Sequence, residues 1–219
     1  MAELGLKNKD DLMPYCQDPS HSREEKAKAC VAIGFVFQRD ATPVLISLLK
    51  DADVALGAAN ALATIGAKRA TRPLMDVVRR SNDERIRHAA ISALGRLHDR
   101  RSESLLASIL LNQDETDSTR TFAAAALIFS RTPKAFQALA MASNDPSPSV
   151  RWQVMSALGL SGRNGAHALI REHLSDDAEV PGLPSDQARV SWSAATALQS
   201  CRTQEMGNWD RLTRLAIFL

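Results

Sequence analysis

The chain of 219 residues is poor in the groups that most often carry chemistry. Its three cysteines, Cys16, Cys30 and Cys201, are too few and too scattered for a disulfide framework. Cys30 falls on an apolar helical position and reads as a small core residue. There is no His-Glu-x-x-His, no paired Cys-x-x-Cys and no phosphate-loop glycine pattern, so neither a metal nor a cofactor is expected. His167 and His173 are six residues apart, a spacing that does not put two ligands on one helix face. Serine, histidine and aspartate are all present, but nothing in their spacing suggests a catalytic triad. No apolar run of membrane-spanning length is visible, nor a charged-then-apolar leader, and the expected location is cytoplasmic. Formal net charge is only +2, whereas a nucleic-acid binder usually shows a strong basic balance or stripe. The basic pairs Arg79-Arg80 and Arg100-Arg101 fall at helix ends and turns and read as a solvated rim.

What remains is a soluble-type composition, 45% hydrophobic and 24% charged, with aromatics at only 5%. Alanine dominates the apolar set, and its helix propensity with few β-branched competitors predicts an all-α protein. The stretch Arg87 to Leu97, RHAAISALGRL, reads as one amphipathic helix, and the chain repeats it. Anchored on the aliphatic residue of the Ala-Leu pair, the copies fall at Ile33, Leu62, Leu94, Leu127, Leu158 and Leu198. The spacing is about thirty residues with a wider last gap, the mark of a solenoid. Ala32, Ala61, Ala93, Ala126, Ala157 and Ala197 precede the anchors. Small residues there let two helices approach closely while the anchor fills the space between repeats.

Punctuation supports the same division. Ser22 to Glu25 and Ser81 to Glu84 fit capping boxes at the starts of two inner helices. Thr42-Pro43 and Thr132-Pro133 fit a cap followed by proline at the start of outer helices. Gly66 stops the second inner helix. The segment from Asp176 to Pro184 is the one long insertion and accounts for the wide last gap. The expected organisation is a capping segment over 1–22, repeats over 23–201 and a capping helix over 202–219.

The motifs DPSPSVRWQVMSALGLSG, DERIRHAAISALGRL and AANALATIG resemble HEAT repeats, most of all the subtype named after the phycobilisome lyases. The resemblance covers about Arg23 to Cys201. It implies a right-handed stack of about six antiparallel helix pairs, with the Val-Arg…Ala-Leu-Gly helix lining the concave face. The family's arginine, seven residues before the anchor, is present as Arg87, Arg120 and Arg151, with Lys26 in the first copy; Ala55 and Ser191 depart. Its usual role is structural, tying neighbouring turns, often through the preceding aspartate.

The resemblance also names the positions facing the concavity. The first copy gives Ala27, Lys28, Val31 and Phe35, and the second includes Gly57. The third gives His88, Ser92 and Arg96, and the fourth Thr121 and Phe122. The fifth gives Trp152, Gln153 and Ser156, and the sixth Trp192, Ser193 and Thr196. Trp152 and Trp192 share one motif position in adjacent repeats. They read either as a contact ladder for a partner or as space-fillers folded down among small neighbours.

The function expected is a non-enzymatic scaffold that binds a protein partner on the concave face, as a monomer or weak dimer, with no nucleic acid and no membrane. Three alternatives accompany it: a bilin lyase-like chaperone or lyase subunit, a HEAT-like DNA glycosylase, and a toxin-neutralising immunity protein. The glycosylase type places a catalytic aspartate one turn after a tryptophan, where this chain has Ser156 and Thr196.

Overall fold

The computed structural model describes residues 5–163 and 165–205, and in them the regular structure is helical apart from one isolated antiparallel bridge between Glu179 and Arg189. A short 3-10 turn leads into α1 (Leu12–Gln17). There follow α2 (Arg23–Phe37), α3 (Thr42–Leu48), α4 (Ala55–Thr64), α5 (Thr71–Arg80), α6 (Glu84–Arg96), α7 (Glu103–Leu111), α8 (Asp117–Leu127), α9 (Pro133–Met141), α10 (Pro148–Ser161), α11 (Ala166–Glu172) and α12 (Val190–Glu205). The chain divides into two compact units at Leu105 and Leu106. The capping helix expected over 202–219 lies, apart from the end of α12, outside the described residues.

In the first unit α2 packs on α4 and α4 on α6, with α3 against α4 and α5 against α6. In the second unit α8 packs on α10 and α10 on α12, with α9 and α11 against α10. Helices two apart in sequence forming one layer, each backed by the helix between them, is the contact pattern of an α-solenoid. The anchors Ile33, Leu62, Leu94, Leu127 and Leu158 are buried at the seams, while Leu198 is half-buried.

The alanines and two glycines set how close the layers come. A Cβ on Gly57 would lie 2.6 Å from Ala27 Cα, and one on Gly159 would lie 2.7 Å from Ala197 Cα. At these points α4 meets α2, and α12 meets α10, nearly backbone to backbone. Gly57 therefore belongs to a seam and not to an open face. The same holds for Ser193, which is buried and donates its hydroxyl to Trp152 O at 2.8 Å.

Helix starts follow the sequence in part. Ser22 and Glu25 form the expected capping box, each side chain accepting from the other's backbone N–H. Thr132 caps α9 by accepting from Ala135 N. At α6, however, the cap is Asp83, which accepts from Arg85 and Ile86 N–H, while Ser81 accepts from Asp83 N instead of closing a box with Glu84. A carboxylate next to the first turn is the stronger acceptor and also favours the helix dipole. Thr42 is the first residue of α3 and makes no cap bond.

Contrary to the expectation of no membrane-length apolar run, the stretch Arg23–Leu48 is long and apolar enough by composition to cross a membrane. It is not one straight helix. Gln38 takes φ +46° after Phe37, and a 3-10 turn carrying exposed Arg39 and Asp40 separates α2 from α3.

Reversals recur in register. Positive φ values occur at Gln38 and Gly66, at His98 and Arg131, and at Gly162, each a few residues after an anchor. Only two of these five residues are glycine.

Candidate protein-binding face

The second unit is stitched by buried charge. Arg120, at the family position on α8, donates to Asp145 just before α10; both side chains are 3% exposed. It also donates to Gln113 Oε1 at 3.0 Å and to Asp117 Oδ1 at 2.8 Å, while its Nε is buried without a partner. Asp145 turns its other oxygen to Ser147 N at 2.9 Å, fixing the start of α10. Arg151 repeats the device one copy on. It grips Asp176 through Nε at 2.7 Å and Nη2 at 3.1 Å, and donates Nη1 to Asp145 O at 2.8 Å. Arg87 donates Nε to Val78 O at 3.1 Å on α5. Arg87 therefore reaches an adjacent helix, Arg120 the turn leading into α10, and Arg151 the segment that follows α11. In α8 and α10 the acidic partner lies one repeat ahead as well as, for Arg120, three residues back.

Hydrogen bonding by Arg151 holds the Asp176 carboxyl below the usual carboxylate range. A depressed folded-state pKa contributes stability that is present above the unfolded pKa, about 3.9, and is lost as pH falls through the folded value. Chain stability should therefore decline below about pH 4, and Asp176→Asn should make the decline shallower. Urea titrations followed by helical circular dichroism at pH 3 and pH 6 test this, and parallel pH curves for the two proteins would refute it.

A cleft of about 420 Å³ lies beside the Arg151–Asp176 pair, with Asn144, Pro146, Glu172 and His173 in its lining. His173 is buried, with Nδ1 3.5 Å from Asp176 Oδ2. The cleft's Arg151 and Asp176 are bonded to each other and its Asp145 to Arg120, so it presents few unused charges. Among the described residues no three His, Cys, Asp or Glu side chains gather where a metal could bind.

The residues expected on the concave face divide between the units. In the first, His88 and Ser92 are half-buried and Arg96 is exposed, reaching Thr64 Oγ1 at 3.3 Å. Burial holds the His88 imidazole below its ordinary pKa, against the opposing pull of Glu84. On α2 of the same unit Phe35 is 76% exposed, with Val31 and Val36 also exposed.

In the second unit Thr121 is half-buried and Phe122 is 37% exposed on α8. Trp152 on α10 is half-buried, and Trp192 on α12 is 38% exposed. The two indoles are stacked, with ring centroids 6.3 Å apart and planes 5° from parallel. The motif places them in one row because they occupy the same position in consecutive repeats. The close α10–α12 seam at Gly159 and Ala197 then lets that row become a stack. Trp152 Nε1 donates to Gln187 O at 3.1 Å, which ties the ring to the 176–189 strap. Ser156 and Ser193 share a hydrogen bond at 3.0 Å beneath the pair. Gln153 is half-buried and Thr196 is exposed, with its hydroxyl on Trp192 O. Neither indole is fully buried.

The strap's part was not visible in sequence. Its contact with Trp152 is made by a backbone carbonyl, which no residue type announces. The spacing did give an insertion at the right place.

The HEAT-repeat family model matches residues 10–95, 71–156 and 103–181 of this chain. No curated protein matches it. Among solved structures it is similar to an engineered protein at 15% identity over 90% of this chain and 98% of that one, with a TM-score of 0.52. It is also similar to the complex of CpcE and CpcF of phycocyanin lyase from a Nostoc species, at 17% identity over 89% and 81%, TM-score 0.49. A third similar structure is human deoxyhypusine hydroxylase in complex with glycerol, at 17% identity over 89% and 96%, TM-score 0.39. Identities this low speak for fold alone. The repeat matches span most of the sequence, and the chain belongs to the family of HEAT-repeat proteins.

Proposed function

We propose that this chain is a non-enzymatic scaffold that captures a protein partner on the face formed by α8, α10 and α12. The observation that carries this reading is the stacked Trp152–Trp192 pair, with Trp192 38% exposed. A protein that buries most of its large aliphatic side chains gains nothing in stability from leaving an indole in water. Exposed tryptophan flanked by small polar residues is, by contrast, the composition of interaction hot spots. Phe122 extends the aromatic character to α8, while Thr121, Gln153, Ser156 and Thr196 supply a polar surround. By the register of the repeat motif, this face is the concave one. His88, Ser92 and Arg96 on α6 offer a second, more polar stretch of inner-helix surface. The protein acts in the cytoplasm as a monomer or weak dimer.

Trp192→Ala is the decisive variant, because its ring is the more exposed of the two and its loss leaves the Trp152–Gln187 bond intact. Affinity capture from native cell extract, followed by identification of bound proteins, should lose a specific partner about tenfold or more with this variant. Helical circular dichroism should be unchanged. Full retention of every captured protein would overturn the reading.

A further inference from the structure

The aromatic face has an electrostatic signature of its own. None of its residues, Phe122, Trp152, Gln153, Trp192 or Thr196, is charged. The strap over 176–189 that borders it carries four acids, Asp176, Asp177, Glu179 and Asp186, against one base, Arg189. Asp176 is used internally by Arg151, and Asp177 shares Arg189 at 3.8 Å. Glu179 and Asp186 are exposed, and their carboxylates take no partner among the described residues.

The strap is held against the tryptophans at two points. Trp152 donates to the carbonyl of Gln187, the residue after Asp186. Ser191, the residue before Trp192, donates to Asp177 Oδ1 at 3.4 Å. The acid-rich strap is thus bonded to Trp152 and to the residue before Trp192, whose indole is electron-rich on its face.

Resting on the protein-binding reading above, we infer that the segment captured by this face is basic. An arginine or lysine side chain of the partner lies over the Trp192 ring, with Glu179 and Asp186 as its counter-charges. Two features favour a cation over a neutral or acidic segment. The π face of Trp192 attracts cations, arginine best of all because its planar guanidinium also stacks. The unpaired carboxylates gain from a counter-charge and would repel an acidic segment. Arg189, the one base of the strap, bridges to Glu179 through its backbone and is drawn to Asp177 at 3.8 Å, which leaves Asp186 the freer of the two counter-charges. The Trp192 indole N–H, which bonds to nothing among the described residues, is left to take a carbonyl of the incoming backbone.

The test uses the full chain in a Trp209→Phe background, which removes the third tryptophan of the sequence so that fluorescence reports the stacked pair. The probes are a capped glycine peptide bearing two arginines and its counterparts with glutamine or proline in place of arginine. The arginine peptide should quench the indoles saturably and bind about fivefold or more tighter than either counterpart, the size of one well-placed cation–π contact. Its binding should fall with added salt. Glu179→Gln with Asp186→Asn should remove most of that preference, and Trp192→Ala should abolish it. Equal binding of the arginine and glutamine peptides, or an unchanged preference in the carboxylate variant, would overturn the inference. In that event, neutral-peptide binding that still depends on Trp192 keeps the docking face, whereas no binding by any peptide removes both. Light scattering of the untreated chain supplies a last check: a dimer abolished by Trp192→Ala would assign the face to a second copy and overturn a basic partner.

Discussion

Replacing Arg120 by methionine should cost the chain about 3–5 kcal/mol of stability, the range seen when one partner of a buried ion pair is removed. The guanidinium holds Asp145, and both side chains are nearly inaccessible. Without it the carboxylate, only 3% exposed, keeps Gln113 Nε2 at 3.2 Å and Ser147 N–H as donors but loses its counter-charge, at the start of α10 that it fixes. The double variant Arg120→Met with Asp145→Asn should recover a large part of the loss. Asparagine keeps an oxygen for Ser147 N–H and brings no charge. Denaturant unfolding of the single and double variants decides the matter. A single variant costing less than about 1 kcal/mol would mean that Asp145 finds water or another donor easily. The free Nε of Arg120 makes the site more polar than it needs to be for stability alone.

Gly159→Ala should destabilise the chain by about 1–3 kcal/mol, the usual penalty of overpacking, although alanine is the better helix former by about 1 kcal/mol. The new methyl would lie 2.7 Å from both Ala197 Cα and its Cβ and 2.9 Å from its carbonyl oxygen. Two of those three atoms are backbone, so no rotamer change relieves the clash, and α10 and α12 have to separate. Gly57→Ala should behave alike, since Ala27 Cα stands 2.6 Å from its added methyl. Gly34→Ala should be milder, because its nearest neighbour is Ala61 Cβ at 3.2 Å. Thermal unfolding of the three variants should reproduce that order. Separation at Gly159 has a second readout: Trp152 and Trp192 ride on the same two helices, so their stacking and near-ultraviolet dichroism should change with the stability. A Gly159→Ala protein more stable than the parent would refute the close seam.

The fold was legible because its signal is periodic. The Ala-anchor pairs mark α2, α4, α6, α8, α10 and α12 without help from any turn residue. The arginine row was legible by resemblance, and the structure supplies its partners. What sequence could not give is the direction of reach: Arg120 and Arg151 find Asp145 and Asp176 one repeat ahead, and that pairing depends on how the layers stack. The tryptophan register came from motif position. Their stacking did not, because a row fixes where Cβ atoms lie and not how rings turn. Gly57 and Ser193 were assigned to the open face by the same register. They belong to seams: Gly57 lies against the Ala27 backbone, and Ser193 is buried with its hydroxyl on Trp152 O. Asp83 displaced the capping box expected at Ser81, a case of one polar side chain outcompeting another two residues away.

The positive-φ residues that follow the anchor-bearing helices carry a consequence for how this chain acquires its shape. At His98 and Arg131 a residue with a Cβ is held on the left-handed side, which disfavours it by about 1–2 kcal/mol relative to glycine. Locally those stretches prefer to continue as helix. The reversals are therefore imposed by the neighbouring layers, and the turns are products of assembly more than instructions for it. A repeat excised with its own turn would lack the means to bend back on itself. Folding of such an array is cooperative at its corners: the chain learns where to turn only once it has something to turn against.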